Sequence, residues 1–256
     1  MTPANDISLS EFVIHHVLDA KEWHLPFLPP VPLPGSLTLH GLMMIICALL
    51  LLLLFGVVYR KDDKVPTGIT NLLEAFILFI RDEIAISFLG EKDGRRMTPL
   101  FCTFFFFIAG LNLMGLIPVF STATSNVNVT AALALITLGF MTVGAVLKNG
   151  ASGFFKSFVP PDVPWPILVV LVPIEFVGMF VKAFALTIRL FANMLAGHIV
   201  ILSLLSLVAF FGYVALPSVI LAVLISLLEI FIAFLQAFIF TLLSAMFIGQ
   251  SYHPEH

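Results

Sequence analysis

The sequence predicts an all-α polytopic membrane protein: three upright transmembrane helices, one interfacial amphipathic helix, and a C-terminal hairpin of two long, steeply tilted membrane helices. Three observations lead there. Of the 256 residues, 60% are hydrophobic and 11% charged, against about 25% charged in soluble domains, and the mean hydropathy is +1.12. The apolar residues come in runs long enough to cross a bilayer, which takes about 20 residues at 1.5 Å each over roughly 30 Å of hydrocarbon. The basic residues cluster between particular runs, and that asymmetry sets orientation.

Residues 1–36 hold a single basic residue, Lys21, and the helix-breaking prolines Pro26, Pro29, Pro30, Pro32 and Pro34. Lacking a basic n-region and a compact apolar h-region, they read as an extracytoplasmic N-terminal segment and not a cleaved signal peptide. Residues 37–59 form the first transmembrane helix. Arg60, Lys61, Lys64, Arg81, Lys92, Arg95 and Arg96 follow, so residues 60–97 face the cytoplasm. Within that loop, residues 69–89 are apolar apart from a few charges, and Glu74, Arg81 and Asp82 gather on one side of a helix. A span here would put the two basic groups on opposite sides of the membrane, so the segment is an interfacial helix.

Residues 98–118 and 127–148 are the next two spans, joined by an extracytoplasmic loop at 119–126 that lacks Lys and Arg. The run Phe104 to Phe107 is lipid-facing and packing surface. The sequon at Asn128 sits at the mouth of a span and is read as chance or helix capping. Residues 149–165 form a second cytoplasmic loop, flanked by Lys148 and holding Lys156. Residues 166–211 then run without a polar loop for roughly 69 Å if helical, about twice the hydrocarbon thickness. After a turn at 212–217, residues 218–250 are overlong again, and 251–256 form a cytoplasmic tail. Each long run either folds back on itself or tilts, and tilt is the ordinary response to excess hydrophobic length.

Several classes are excluded or weakened. The net charge of -3 gives no sign of nucleic-acid binding, and no GxxxxGK[ST] run is present, so no P-loop for ATP is expected. Cys47 and Cys102 lie in separate apolar runs and are packing residues, with no metal-ligand or disulfide spacing. No metal site and no cofactor is expected. The absence of an internal repeat argues against an inverted-repeat transporter.

The chemistry lies in the long runs. Arg189 opens RLFANMLAGH at 189–198. It keeps its proton at any accessible pH, and a charge at bilayer depth costs about 3 kcal/mol or more to insert. Its position, about 23 residues from either end of the run, argues against snorkelling to a headgroup. Glu175, Lys182 and Arg189 recur every seven residues and therefore fall within about 40° of one another on a helix. Asn193 and Ser203 continue the stripe, while His198 turns to the other face. Glu229, Gln236 and Gln250 share a stripe on the second run. Each also has a plainer alternative: a protonated packing group for Glu175 or Glu229, a headgroup anchor for Lys182, and for His198 alone a satisfied polar contact. Two carboxylates, an imidazole, a glutamine and a permanent cation in one membrane are together the parts of a proton or ion path.

RLFANMLAGH at 189–198, Glu175 fourteen residues before the arginine, LQAFIF at 235–240, VPTG at 65–68, NLMGLIP at 112–118 and NVNVTAALAL at 126–135 resemble the a subunit of bacterial F-type ATP synthases, from about residue 37 onward. The RLFxNMxAG core is the specific part. The resemblance implies a stator subunit beside a rotating ring of c subunits, with its last two helices tilted against the ring. It implies as partners the c-ring, the b subunits of the peripheral stalk, the other synthase subunits and the lipid bilayer of a bacterial inner membrane, with ATP chemistry elsewhere. Arg189 matches the essential arginine, Asn193 the asparagine one turn on, and Gln236 the glutamine that faces the arginine. Glu175 matches the glutamate of the same helix, and Lys182 falls where a lysine is often found. His198 and Glu229 occupy a pair of positions at which relatives also show the reverse order, which points to one shared aqueous path. Gly115 sits where some relatives carry an acid. The competing classes are a self-contained ion channel or secondary transporter, with Arg189 binding an anionic substrate, and a structural anchor whose polar stripe only seats a neighbour.

Overall fold

Hydrocarbon offers no partner for a bare N–H or C=O, so a chain this apolar is expected to close its backbone hydrogen bonds within helices. The computed structural model describes residues 22–23, 31–35, 37–58, 68–117, 120–158, 164–211 and 216–253, and almost all of them are helical. The helices are α1 (Leu39–Leu53, continued by a π stretch at Leu54–Val58), α2 (Ile69–Phe79, continued by a π stretch at Ile80–Ile86), α3 (Ser87–Gly115), α4 (Val127–Gly139, with a π stretch at Phe140–Gly144), α5 (Ala145–Lys156), α6 (Trp165–Phe211) and α7 (Leu216–Tyr252). A two-residue antiparallel pair, β1 (Glu22–Trp23) and β2 (Val31–Pro32), precedes them. Among the described residues, five helical stretches are long and apolar enough to cross a membrane: Leu39–Val57, Ile69–Gly115, Val127–Phe154, Trp165–Leu207 and Pro217–Tyr252.

The two overlong runs do not fold back. α6 is one helix of 47 residues and α7 one of 37, and Pro173 lies within α6 without ending it. Helix also extends beyond the expected bounds elsewhere. α2 and its π stretch lead directly into α3, and the break is a single residue, Gly90, at φ 77 and ψ 170. Residues 91–97, expected as loop, are therefore helical. Gly150, at φ 75, makes a similar break within α5, and residues 151–156 of the expected loop are helical too. A positive φ is open to glycine and strained for other residues, so these two glycines set where the chain turns. Residues 65–67 of the VPTG segment, the basic residues Arg60, Lys61 and Lys64, and most of residues 1–36 and of the turn at 212–217 lie outside the described residues.

The described residues fall into two compact units. One draws on Met1–Leu51, Phe107–Val129 and Leu190–Gln236. Its core joins Met43 and Cys47 of α1 to Leu111 and Met114 of α3, with Ala123 and Val129 closing it. Cys47 is a packing residue, its sulfur lying where a Cβ at Gly110 would come within 2.8 Å. Asn126 caps α4, accepting a hydrogen bond from the Asn128 N–H at 3.0 Å, the usual device for a helix start. In this unit α6 and α7 run antiparallel: Ser218 donates to the Leu204 carbonyl at 3.0 Å, and Asn193 pairs with Gln236 further along.

The other unit draws on Leu52–Phe106, Thr130–Arg189 and Ala237–His256. Aromatic edges fill it: Phe104 meets Phe240 edge-on at 5.5 Å and Phe105 stacks on Phe76 at 5.5 Å. Phe104 and Phe105 are buried, so this part of the phenylalanine run packs protein and does not face lipid. Thr137 and Ser244 share a buried hydrogen bond at 3.0 Å, and Gly144 admits the Tyr252 hydroxyl. Lys148 reaches Asp93 at 2.5 Å and His253 at 2.9 Å.

Two glycines separate tight packing from open space. A Cβ on Gly249 would lie 2.5 Å from the Phe88 carbonyl oxygen, whereas one on Gly139 would meet nothing within 4 Å. Gly249→Ala is therefore expected to destabilise by about 1–3 kcal/mol, the usual cost of overpacking, and Gly139→Ala, helical and with room for the methyl, to be neutral or to stabilise by up to about 1 kcal/mol. Thermal denaturation of the purified protein in detergent checks both; equal midpoints for the two variants would refute the packing.

Candidate ion-path residues

Side chains that hydrocarbon cannot solvate must find protein partners or water, and the polar residues of α6 and α7 can be followed on that basis. In the unit containing Leu190–Gln236, Asn193 donates from Nδ2 to Oε1 of Gln236 at 2.8 Å. Gln236 is buried and Asn193 exposed, so the bond fixes an amide at the helix surface from a buried anchor.

One to two turns on, Glu229 is 4% exposed, and neither carboxyl oxygen has a hydrogen-bond partner. Its Oε1 occupies the space where a Cβ at residue 197 would stand. Only glycine at 197 leaves room for it. His198, the next residue of α6, contacts the Thr122 hydroxyl through Nε2 at 2.6 Å, and its buried Nδ1 has no partner. Glu229 and His198 thus belong to one region without being hydrogen-bonded to each other. A carboxyl and an imidazole, each with unsatisfied polar atoms, are groups through which a proton can be handed on.

The same unit contains polar residues that sequence reasoning did not single out. Thr124 donates to Oδ1 of Asn112 at 2.8 Å, and Asn112 reaches the Ala233 carbonyl through Nδ2 at 3.4 Å. Thr122, Thr124 and Asn112 are all buried. The signal for the two threonines was the hydroxyl-rich run STATS at 121–125, which reads equally well as an ordinary loop; Asn112 opens the NLMGLIP segment.

In the other unit, Lys182 donates to Oε1 of Gln250 at 3.0 Å and lies 5.3 Å over the Phe247 ring. Glu175 and Arg189 are exposed. Among the described residues, neither has an ion-pair or hydrogen-bond partner. Because α6 is continuous, Glu175, Lys182 and Arg189 keep their seven-residue spacing on one face,.

These features define a class: a multi-pass membrane protein whose two longest helices carry buried and surface ionisable groups suited to moving a charge across the bilayer. Residues 41–249 match the ATP synthase A chain family. ATP synthase subunit a of Chloroherpeton thalassium is 47% identical over 259 residues, covering 95% of this chain and 77% of the relative. The subunit of Anaeromyxobacter dehalogenans (strain 2CP-C) is 43% identical over 272 residues, covering 96% and 71%. That of Myxococcus xanthus is 40% identical over 269 residues, covering 94% and 88%. The chain belongs to the ATP synthase A chain family.

The Asn193–Gln236 bond gives a measurable coupling. Interhelical hydrogen bonds in membranes average about 0.6 kcal/mol and reach about 1.7. A double-mutant cycle on Asn193→Ala and Gln236→Ala, read by unfolding of the purified chain in mixed micelles, is expected to return a coupling in that range; strict additivity would contradict the contact.

Proposed function

We propose that this chain is the proton-translocating stator subunit of the membrane sector of a rotary ATP synthase, with Arg189 acting on the rotor. The observation that carries this reading is Arg189 itself: exposed on a 47-residue apolar helix, with no partner among the described residues. A permanent cation at bilayer depth that no described residue of its own chain neutralises is suited to an anion on another subunit. The partners are other ATP synthase subunits, and within that set the c-ring and the b subunits of the peripheral stalk.

An ion enters from the outside by an aqueous inlet half-channel and neutralises a carboxylate on a c subunit. It rides the ring through lipid and leaves by an exit half-channel to the cytoplasm. Arg189 does not carry the proton, since a guanidinium does not give one up in this range. It attracts the ionised c carboxylate, displaces the proton before that site passes, and blocks a direct leak between the half-channels. Each charge moved is worth about 2.3 kcal/mol per 100 mV, so a leak would dissipate the torque.

Glu229 and His198 serve the inlet, supported by the unsatisfied oxygens of the one and the free Nδ1 of the other. Gln236 and Asn193 hold an ordered amide pair one turn beyond the arginine. Glu175 and Lys182 serve the exit, and the Lys182–Gln250 bond keeps the ammonium fixed. Seven basic residues in 60–97 favour a cytoplasmic placement of that segment. The N-terminus is then outside, 69–89 is interfacial, and the C-terminus is cytoplasmic, in a bacterial inner membrane.

The test is ATP-driven proton pumping by inverted vesicles carrying assembled complexes, with the wild-type chain and with Arg189→Ala. Pumping is expected to be abolished in the variant at unchanged assembly. Coupled pumping at the wild-type rate would overturn the proposed role and leave Arg189 a structural residue.

A further inference from the structure

The hydroxyl of Thr122 occupies a place that the surrounding backbone reserves for it. Thr122 is 3% exposed, and its Oγ1 lies 2.6 Å from His198 Nε2 and 3.4 Å from the Gly115 carbonyl oxygen. A Cβ at residue 115 would come within 2.6 Å of that Oγ1 and 2.8 Å of the Thr122 methyl. Any side chain at 115 would therefore push the hydroxyl off the imidazole. Glycine at 115 and threonine at 122 are two halves of one arrangement, and both lie in the same unit as His198.

A threonine hydroxyl has one hydrogen to give and two lone pairs to accept with. Both contacts are hydrogen bonds at once only when the hydroxyl hydrogen points at the Gly115 carbonyl, which accepts and does not donate, and Oγ1 accepts from Nε2–H. That chain of bonds serves the neutral ring and the doubly protonated ring equally, because Nε2 carries a hydrogen in both. The nitrogen left to gain and lose a proton is Nδ1, which is buried and has no partner. The titratable neighbour across the helix pair is Glu229, whose carboxyl lies against Gly197.

We propose that Thr122 is a positioning residue for proton passage: its hydroxyl, seated on Gly115, holds His198 by Nε2 so that the ring exchanges its proton at Nδ1. The proton arrives on Nδ1 and leaves from Nδ1, and no bond at Thr122 is made or broken. The inference rests on the inlet role given above to His198.

The test uses assembled complexes in inverted vesicles and reads the rate of ATP-driven pumping across a range of pH. Thr122→Val keeps the shape and removes the hydroxyl; Thr122→Ser keeps the hydroxyl. Loss of one hydrogen bond corresponds to about a three- to tenfold change in rate. Thr122→Val is therefore expected to slow pumping by that factor and to move the midpoint of the pH profile, while Thr122→Ser retains both rate and midpoint. In a His198→Gln background, Thr122→Val is expected to add no further shift. A wild-type rate and profile in Thr122→Val, or a shift that persists without the histidine, would overturn the proposal. Should Thr122→Val fail to assemble, Gly115→Ala, whose methyl displaces the hydroxyl, must reproduce the shift, and an unchanged profile there overturns the proposal equally. Failure of the underlying function would instead appear as normal pumping by Arg189→Ala in the same vesicles, an outcome independent of Thr122.

Discussion

Hydrocarbon solvates neither a backbone amide nor a charge, and each polar side chain placed in it must be met by another protein group or by water. α6 and α7 show how this chain meets that constraint. Asn193 is met by Gln236, Lys182 by Gln250, and His198 by Thr122. Arg189 is met by nothing among the described residues, and Glu229 has both oxygens unsatisfied. The paired residues give the helices fixed polar surfaces. The unpaired ones are the groups free to act on a partner or a proton. A membrane protein retains such groups at a cost of several kcal/mol only where function draws on them.

Much of this was legible in the sequence because the bilayer reduces structure to length and polarity. Runs of apolar residues gave the helices, and the length of the last two predicted elements that do not fit an upright crossing; both proved to be single helices. The seven-residue spacing of Glu175, Lys182 and Arg189 placed them on one face with no knowledge of neighbours. Less legible was where helices break. KDGRRM at 92–97 looks like a loop because it is polar, yet it is helical, and the break is the single positive φ at Gly90. Composition reports solvent exposure, whereas a break depends on one backbone dihedral.

Contacts between distant segments were the least legible. Nothing local marks Gly197 as the residue that makes room for Glu229, or Gly115 as the seat of Thr122. Each acts by lacking a Cβ, and the value of a missing atom appears only when the opposing chain is in place. The expectation that His198 and Glu229 share one path concerns two residues that lie near each other, Glu229 lying against the residue preceding His198. It missed that the imidazole's hydrogen bond goes to a loop hydroxyl. Loop residues carry such roles when a rigid scaffold holds them, and here α3 and the capped start of α4 hold the STATS segment.

In its proposed role Arg189 is a fixed charge that separates two half-channels. Passive proton flux through assembled membrane sectors freed of their catalytic subunits, with the rotor cross-linked to the stator, tests this most directly. The wild-type chain should hold a proton gradient under these conditions, and Arg189→Ala should discharge it despite the immobilised rotor. A variant as tight as the wild type would contradict the electrostatic barrier at the centre of this account.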